Sequence, residues 1–169
     1  ARAVPGLRIL VPAATPACEQ AIRELLAAAP LPPGSVRLLE GRAREAITAA
    51  DVVLLASGTA TLETMLAKRP MVVGYRIAPT TYRIVRTLGL LKVDRYALPN
   101  VLAGQTIAPE LMQDHCTPER LAGAVVQWFS DPAATAALEP VYRDLHIALR
   151  RNASATAAEA VAGLLEAPR

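Results

Sequence analysis

The sequence has few cysteines, few aromatic residues and no long apolar run. Its 169 residues include two cysteines, Cys18 and Cys116, which lie far apart and outside any metal-type or CxxC spacing. We interpret them as buried thiols in a reducing compartment, and the count excludes a scaffold stapled by disulfides. The longest strongly apolar stretches, residues 52–56 and 71–73, are far shorter than the ~18 residues of a spanning helix.

Blocks of like charge are also absent. The formal net charge is +3, and the 18 Lys and Arg residues are spread along the chain, which argues against a nucleic-acid partner. This mild excess suits contact with phosphates or an anionic membrane surface, and it equally suits ordinary solubility. The 53% hydrophobic content is inflated by alanine, yet the composition excludes a disordered chain and a coiled coil.

Apolar runs typical of strands alternate with the apolar spacing typical of helices over the first hundred residues. Short apolar runs predict strands at residues 7–11, 36–39, 52–56, 71–75 and 95–98, with helices between them, and three amphipathic helices follow at residues 118–129, 132–149 and 157–165. Thr15 and Pro16 supply an N-cap and a first-turn proline for the first helix. We therefore expect an α/β fold with a Rossmann-like, mostly parallel sheet, flanking helices, and further helices at the C-terminus.

The strongest local feature is the turn between the strand at residues 52–56 and the following helix. It reads Ala56-Ser57-Gly58-Thr59-Ala60-Thr61-Leu62-Glu63. Ligands of open parallel sheets bind beyond the carboxyl ends of the strands, and the free amides of a helix's first turn favour a phosphate. Glu63, one turn later, could accept hydrogen bonds from ribose hydroxyls. The alternative is a capped strand–helix junction that binds nothing; neither a P-loop nor a GxGxxG turn is present.

Three further features carry weaker signals. Asn100, in Leu98-Pro99-Asn100, would follow the strand predicted at residues 95–98 and place an amide at the same sheet edge, or it marks a plain turn. His115 and His146 are interpreted as structural, and no metal site is expected. The segment from Thr81 to Arg95 interleaves apolar and basic residues, which fits either an anionic membrane surface or a core helix with solvated arginines.

Several of these motifs together resemble one family over essentially the whole chain. They are the turn just quoted, residues 65–68 (Met-Leu-Ala-Lys), residues 70–76 (Pro-Met-Val-Val-Gly-Tyr-Arg), residues 98–104 (Leu-Pro-Asn-Val-Leu-Ala-Gly) and residues 143–146 (Arg-Asp-Leu-His). In this order and spacing they look like lipid-A-disaccharide synthases.

The resemblance implies an inverting glycosyltransferase of the GT-B fold. Such enzymes join UDP-2,3-diacylglucosamine to 2,3-diacylglucosamine 1-phosphate, releasing UDP and forming the lipid A disaccharide. They act at the cytoplasmic face of the inner membrane of Gram-negative bacteria, without a metal or other cofactor. The resemblance places the UDP donor on a group of residues at two strand ends: Ser57, Gly58, Thr59, Ala60, Thr61, Glu63, Tyr75 and Arg76. It gives Asn100 a part in donor binding or catalysis.

Family members are about twice this length, so the resemblance also implies that part of the protein is missing. We expect a UDP-sugar-binding domain over residues 1–129 that lacks its first, central strand, and C-terminal helices over residues 130–169 that pack on it. The strands at residues 7–11 and 52–56 would then pair directly or leave an apolar edge exposed. The fragment alone is expected to be inactive, and a homodimer is compatible with the family. The alternatives are another GT-B UDP-sugar transferase and a non-catalytic nucleotide-binding module.

Overall fold

Strands and helices alternate through the first half of the chain, as the hydrophobic pattern predicts. The computed structural model describes residues 3–56, 58–87 and 94–166. In chain order its elements are β1 (Ile9–Ala13), α1 (Pro16–Ala27), β2 (Val36–Glu40), α2 (Ala43–Ala49), β3 (Val53–Leu55), α3 (Thr59–Leu66), β4 (Met71–Tyr75), α4 (Pro79–Thr87), α5 (Leu98–Ala103), β5 (Glu110–Met112), a 3₁₀ turn (Gln113–His115), α6 (Pro118–Ser130), α7 (Pro132–Leu149) and α8 (Ala153–Glu166). The predicted α/β class, with parallel strands, flanking helices and further helices at the C-terminus, is confirmed.

All strand pairing in the described residues is parallel, but the strands form two sheets instead of one. One sheet has the order β1-β2 and the other β3-β4-β5. The strands β1 and β3 do not pair, so the second of the two predicted outcomes holds: each has an edge that no described strand covers, and apolar residues on both strands are exposed. Leu10 on β1 is 38% exposed and Leu54 on β3 is 53% exposed.

The first strand differs from the prediction at Pro12, because β1 runs through this residue instead of stopping before it. The Ile9 amide donates to the Ser35 carbonyl, and the Ala13 carbonyl accepts from Gly41. Since hydrogen bonding alternates along a strand, the nitrogen of Pro12 is directed to the edge of β1 that has no strand beside it. A proline is tolerated there because no ladder hydrogen bond is lost.

The prediction of a strand at residues 95–98 is wrong. Leu98 begins helix α5 instead, and the fifth strand is β5, whose residue Glu110 lies opposite Val73 of β4. Pro99 explains the difference, because a proline in the first turn of a helix loses no hydrogen bond. The three-residue strand β5 is too short to give a periodic signal in the sequence.

Polar side chains define the starts of three helices. The Thr15 hydroxyl accepts from the Cys18 amide at 3.2 Å, as predicted for the first helix. Thr117 and Asp131 cap α6 and α7 in the same manner, and each of the three helices has a proline in its first turn.

The prediction that both cysteines are buried is wrong. Cys18 is exposed and Cys116 is partly buried, and both are free thiols. Cys18 lies in the first turn of α1, a helix with no fully buried residue, so nothing covers its side chain completely.

The core lies around β4, between the sheet and the helices α3, α5 and α7. Met71 and Val73 are fully buried, and they pack with Met65 of α3 and with Leu138 and Tyr142 of α7. By contrast, α8 is exposed over nearly its whole length. In the residues that the structure describes, no helix is both long enough and apolar enough to cross a bilayer.

Gly74 lets α6 approach β4 closely. A Cβ atom at this position would lie 2.8 Å from Cδ2 of Leu121 and 3.3 Å from Sγ of Cys116. The first distance is shorter than any normal carbon–carbon contact, so any larger side chain would force the Leu121 side chain out of its present packing.

We therefore expect Gly74→Ala to lower the free energy of unfolding by about 1–3 kcal/mol. Gly123→Ala is the matched control, because Gly123 lies on α6 with nothing within 4 Å of its added Cβ. This control should raise stability by about 0.5–1 kcal/mol, since alanine is the better helix former. Urea unfolding of both variants measures the difference, and equal stability of the two would contradict the packing argument.

Candidate donor-binding site

The carboxyl ends of β3 and β4 bring two of the predicted groups to the same edge of the sheet. Leu55, the last residue of β3, lies opposite Val73, so β4 extends two residues further and ends at Tyr75. The chain that leaves β3 turns at Gly58 into α3, while Tyr75 and Arg76 stand at the end of the adjacent strand. Ser57, which is predicted to contact the donor, lies outside the described residues.

Gly58 occupies a backbone conformation that favours glycine. Its φ is 144° and its ψ is −163°, and nothing lies within 4 Å of the position a Cβ would take. The space beside the first turn of α3 is therefore open, and the reason for glycine is the backbone angle and not crowding. Gly58 has no side chain to cap the helix, so it leaves the first amides of α3 without a cap hydrogen bond at this position.

The two threonine hydroxyls inside α3 are used within the helix. Thr61 donates to the Gly58 carbonyl at 2.7 Å and Thr64 donates to the Ala60 carbonyl at 2.8 Å, and both residues are fully buried. The Thr61 amide also donates to the Gly58 carbonyl, at 3.1 Å. The groups of α3 that are left for a ligand are therefore the Thr59 and Ala60 amides and the exposed Thr59 hydroxyl.

Three further predicted residues are accessible at or near this edge. Glu63 lies one turn into α3 and is exposed, Tyr75 is 40% exposed, and Arg76 is exposed. A carboxylate, a phenol and a guanidinium can between them accept hydrogen bonds from sugar hydroxyls, stack on a ring and neutralise phosphate charge.

Asn100 differs from this group because it is fully buried in the first turn of α5. Its side chain hydrogen-bonds to Ala108 and Ile107 in the loop before β5 and to the Glu110 carboxylate. Its expected part in donor binding or catalysis stays a prediction.

A third group lies at the carboxyl end of β5, and the sequence predicts only a structural histidine there, His115. The 3₁₀ turn after this strand begins at Gln113, with a φ of 49°, and its last residue, His115, makes a hydrogen bond through Nδ1 to the guanidinium of Arg120. Only the position of β5 could have pointed to these residues, and that strand is too short to predict. In the described part of the chain, no three His, Cys, Asp or Glu side chains come together as a metal site.

A cleft of about 380 Å³ opens at the other end of the sheet. It lies between the loop of residues 106–109 before β5 and the junction of α6 and α7, where Trp128 and Asp131 line it. The Trp128 indole donates to the carbonyl of Met71, the first residue of β4, at 3.2 Å, which places the cleft at the amino edge. It is therefore separate from the strand ends described above.

Two groups with perturbed pKa values join α7 to the rest of the structure. The Lys68 ammonium lies 2.7 Å from His146 Nδ1 and donates to the Leu66 carbonyl. Desolvation, followed by the nearby positive charge of Arg143, lowers the pKa of Lys68, and Glu139 acts in the opposite direction. Burial raises the pKa of the Tyr142 phenol, which is fully buried on α7.

Parallel strands that end beside the N-terminus of a helix are typical of α/β domains whose ligands bind at this edge of the sheet. The family model for lipid-A-disaccharide synthetase matches residues 1–163. The lipid-A-disaccharide synthase of Xanthomonas euvesicatoria pv. vesicatoria is 64% identical over 163 residues, and that of Xylella fastidiosa strain M12 is 55% identical over 163 residues, in both cases over 96% of this chain. The chain belongs to the lipid-A-disaccharide synthase family.

The chain spans 37–42% of the length of these curated relatives. Among solved structures, the glycotransferase of kitacinnamycin aligns with 83% of this chain and 39% of its own, with a TM-score of 0.47 and 21% sequence identity.

The lowered pKa of Lys68 predicts a change in stability at alkaline pH. Below its folded-state pKa the lysine is charged in both states, and the cost of its burial is fully present. As the pH rises toward about 10.4, the ordinary value for lysine, the folded state loses the proton first, so the folded state becomes relatively more stable. Wild-type protein should therefore gain unfolding free energy relative to Lys68→Met between pH 8 and pH 10. Urea titrations at both pH values test this, and a constant difference would contradict it.

Proposed function

We propose that this chain is the donor-binding part of a lipid-A-disaccharide synthase. The reaction transfers 2,3-diacylglucosamine from UDP to 2,3-diacylglucosamine 1-phosphate, forms the lipid A disaccharide and releases UDP. Membership of the family supports this assignment. The observation that carries the site is the glycine turn at Gly58, where α3 begins after β3 with no side-chain cap at Gly58 and with open space beside this residue.

The diphosphate of the donor binds at the N-terminus of α3. The Thr59 and Ala60 amides and the positive end of the helix dipole stabilise its charge, and Arg76 adds a full positive charge beside the next strand. Negative charge on the diphosphate grows as the bond to the sugar breaks, so fixed dipoles at this point stabilise the transition state more than the bound donor. Glu63 accepts hydrogen bonds from the ribose, and Tyr75 lies at the same pocket.

The displacement proceeds with inversion in a single step. A hydroxyl of the acceptor attacks the anomeric carbon, the bond from that carbon to the UDP oxygen breaks, and the hydroxyl proton passes to a base. This chain binds the leaving group, and the base and the acceptor site belong to the remainder of the longer protein. On this proposal residues 1–169 alone are inactive, and the division into residues 1–129 and 130–169 stays a prediction.

The separation of the two sheets fits the same proposal. The strands β1 and β3 both present unpaired edges with exposed Leu10 and Leu54. A parallel strand from the remainder of the protein would pair with both and give the strand order of a doubly wound domain. The enzyme works at the cytoplasmic face of the inner membrane, and the basic segment from Thr81 to Arg95 is the proposed contact with lipid. Residues 88–93 of that segment lie outside the described part.

Glu63→Ala in the complete natural polypeptide should weaken UDP binding about 10- to 100-fold, because a hydrogen bond to a charged group contributes about 1.5–3 kcal/mol. Glu63 makes no ion pair within the described residues, so the variant should unfold close to the wild-type temperature. Glu159→Ala, at an exposed position on α8, is the matched control and should bind UDP normally. Isothermal titration measures both affinities, and unchanged binding in Glu63→Ala would remove the ribose assignment.

Gly58→Ala tests the diphosphate position separately. The substitution strains the first turn of α3, so it should weaken UDP binding at least tenfold while changing uridine binding much less. Gly34→Ala is the control, because Gly34 also has a positive φ, of 73°, and open space around it, but precedes β2 at the opposite edge. An equal loss of UDP and uridine affinity in Gly58→Ala would argue against diphosphate binding at α3.

A further inference from the structure

The side-chain amide of Asn100 has no hydrogen-bonding capacity left for a ligand. Its Nδ2 donates to the Ala108 carbonyl at 2.8 Å and to Oε1 of Glu110 at 2.6 Å. Its Oδ1 accepts from the Ile107 amide at 2.8 Å and from the Ala108 amide at 2.9 Å. An amide offers two hydrogens and two lone pairs, and all four are used within the chain.

The partner of Asn100, the Glu110 carboxylate, also holds the two backbone amides that lead into α5. It accepts from the Tyr96 amide at 2.8 Å and from the Ala97 amide at 3.0 Å, in addition to Asn100 Nδ2. Ala97 is the N-cap residue of α5 and has no side chain that could cap the helix. A carboxylate on β5 therefore holds the N-cap amide of α5 and the amide before it, as the glutamate of a capping box holds the N-cap amide, and its charge is favourable at the helix N-terminus.

These contacts fix the position of α5, and α5 packs directly against α3. Since α3 carries the Gly58 turn, a shift of α5 would be transmitted to the first amides of α3 through the close-packed core around Met65.

We propose that Glu110 and Asn100 form a positioning pair that holds α5 against α3 and so fixes the first turn of α3 for the donor diphosphate. Asn100 is then a positioning residue that does not touch the donor, and Glu110 is a second residue on which the reaction depends. This inference rests on the proposed function for its effect on turnover, although the pairing itself does not.

An exchange of the two side chains tests the pair. Asn100→Asp places a carboxylate against the Glu110 carboxylate, and the two like charges repel. In the double variant N100D/E110Q the new amide nitrogen at position 110 can donate to the new carboxylate at position 100, while the amide oxygen at position 110 still accepts from the Tyr96 amide and the contact with the Ala97 amide is lost. The double variant should therefore recover part of what Asn100→Asp loses.

The measurements are kcat/KM for disaccharide formation and the melting temperature, both in the complete natural polypeptide. Asn100→Asp should lower kcat/KM at least 100-fold and Glu110→Gln about tenfold, and N100D/E110Q should exceed Asn100→Asp at least tenfold, because the two sites are directly coupled. Asn152→Asp and Glu45→Gln are the matched controls on exposed positions, and both should behave as wild type.

Two outcomes would overturn the inference. A double variant as inactive as Asn100→Asp, but melting as wild type, would mean that Asn100 contacts substrate directly. The second outcome is additivity. If the decreases in melting temperature of Asn100→Asp and Glu110→Gln simply add in the double variant, the two residues are not coupled and the pair does not exist. Failure of the proposed function is distinguishable from both, because wild-type protein would then form no disaccharide while the melting temperatures still report on the pair.

Discussion

The parallel pairing of β4 with β3 and β5 is the constraint on which the remaining structure depends. The first three residues of β4 are fully buried, and the helices α3, α6 and α7 all contribute side chains that pack at this strand or beside it. Because all three strands run in one direction, their carboxyl ends meet at one edge. The groups that follow them, at Gly58, at Tyr75 and at Gln113, are brought to this edge by the pairing and not by proximity in the sequence.

Strand β4 is also, together with α7, the element that the sequence predicts most accurately. Both agree with the prediction at both ends, because a buried parallel strand is a short continuous apolar run and α7 is a long amphipathic helix that begins at a proline. The edge elements are harder to predict. Pro12 predicts the end of the first strand, but β1 continues through it because the proline nitrogen faces an unpaired edge. Strand β5 has only three residues, and their pairing depends on Val73, far earlier in the chain.

The candidate site is predictable in position and less so in detail. The chain after β3 turns into α3 at the place that the Ser-Gly-Thr sequence indicates, but the residue type does not reveal which hydroxyls remain free. Thr59 and Thr61 look equivalent in sequence, yet Thr61 is buried and donates back into its own helix while Thr59 is exposed. A helical threonine often bonds to a carbonyl of the preceding turn, and burial decides whether it has an alternative.

Asn100 shows why a characteristic motif need not mark a contact with substrate. The resemblance attaches a role to the asparagine of Leu98-Pro99-Asn100, and an asparagine at a strand end would suit a polar ligand. In the structure the same side chain makes four hydrogen bonds to buried or partly buried groups, two as donor and two as acceptor. A leucine could make none of them, and an aspartate carboxylate could not donate to the Ala108 carbonyl or to Glu110. The requirement for asparagine therefore arises within the fold, and on the proposal above its influence on chemistry passes through α5 to α3.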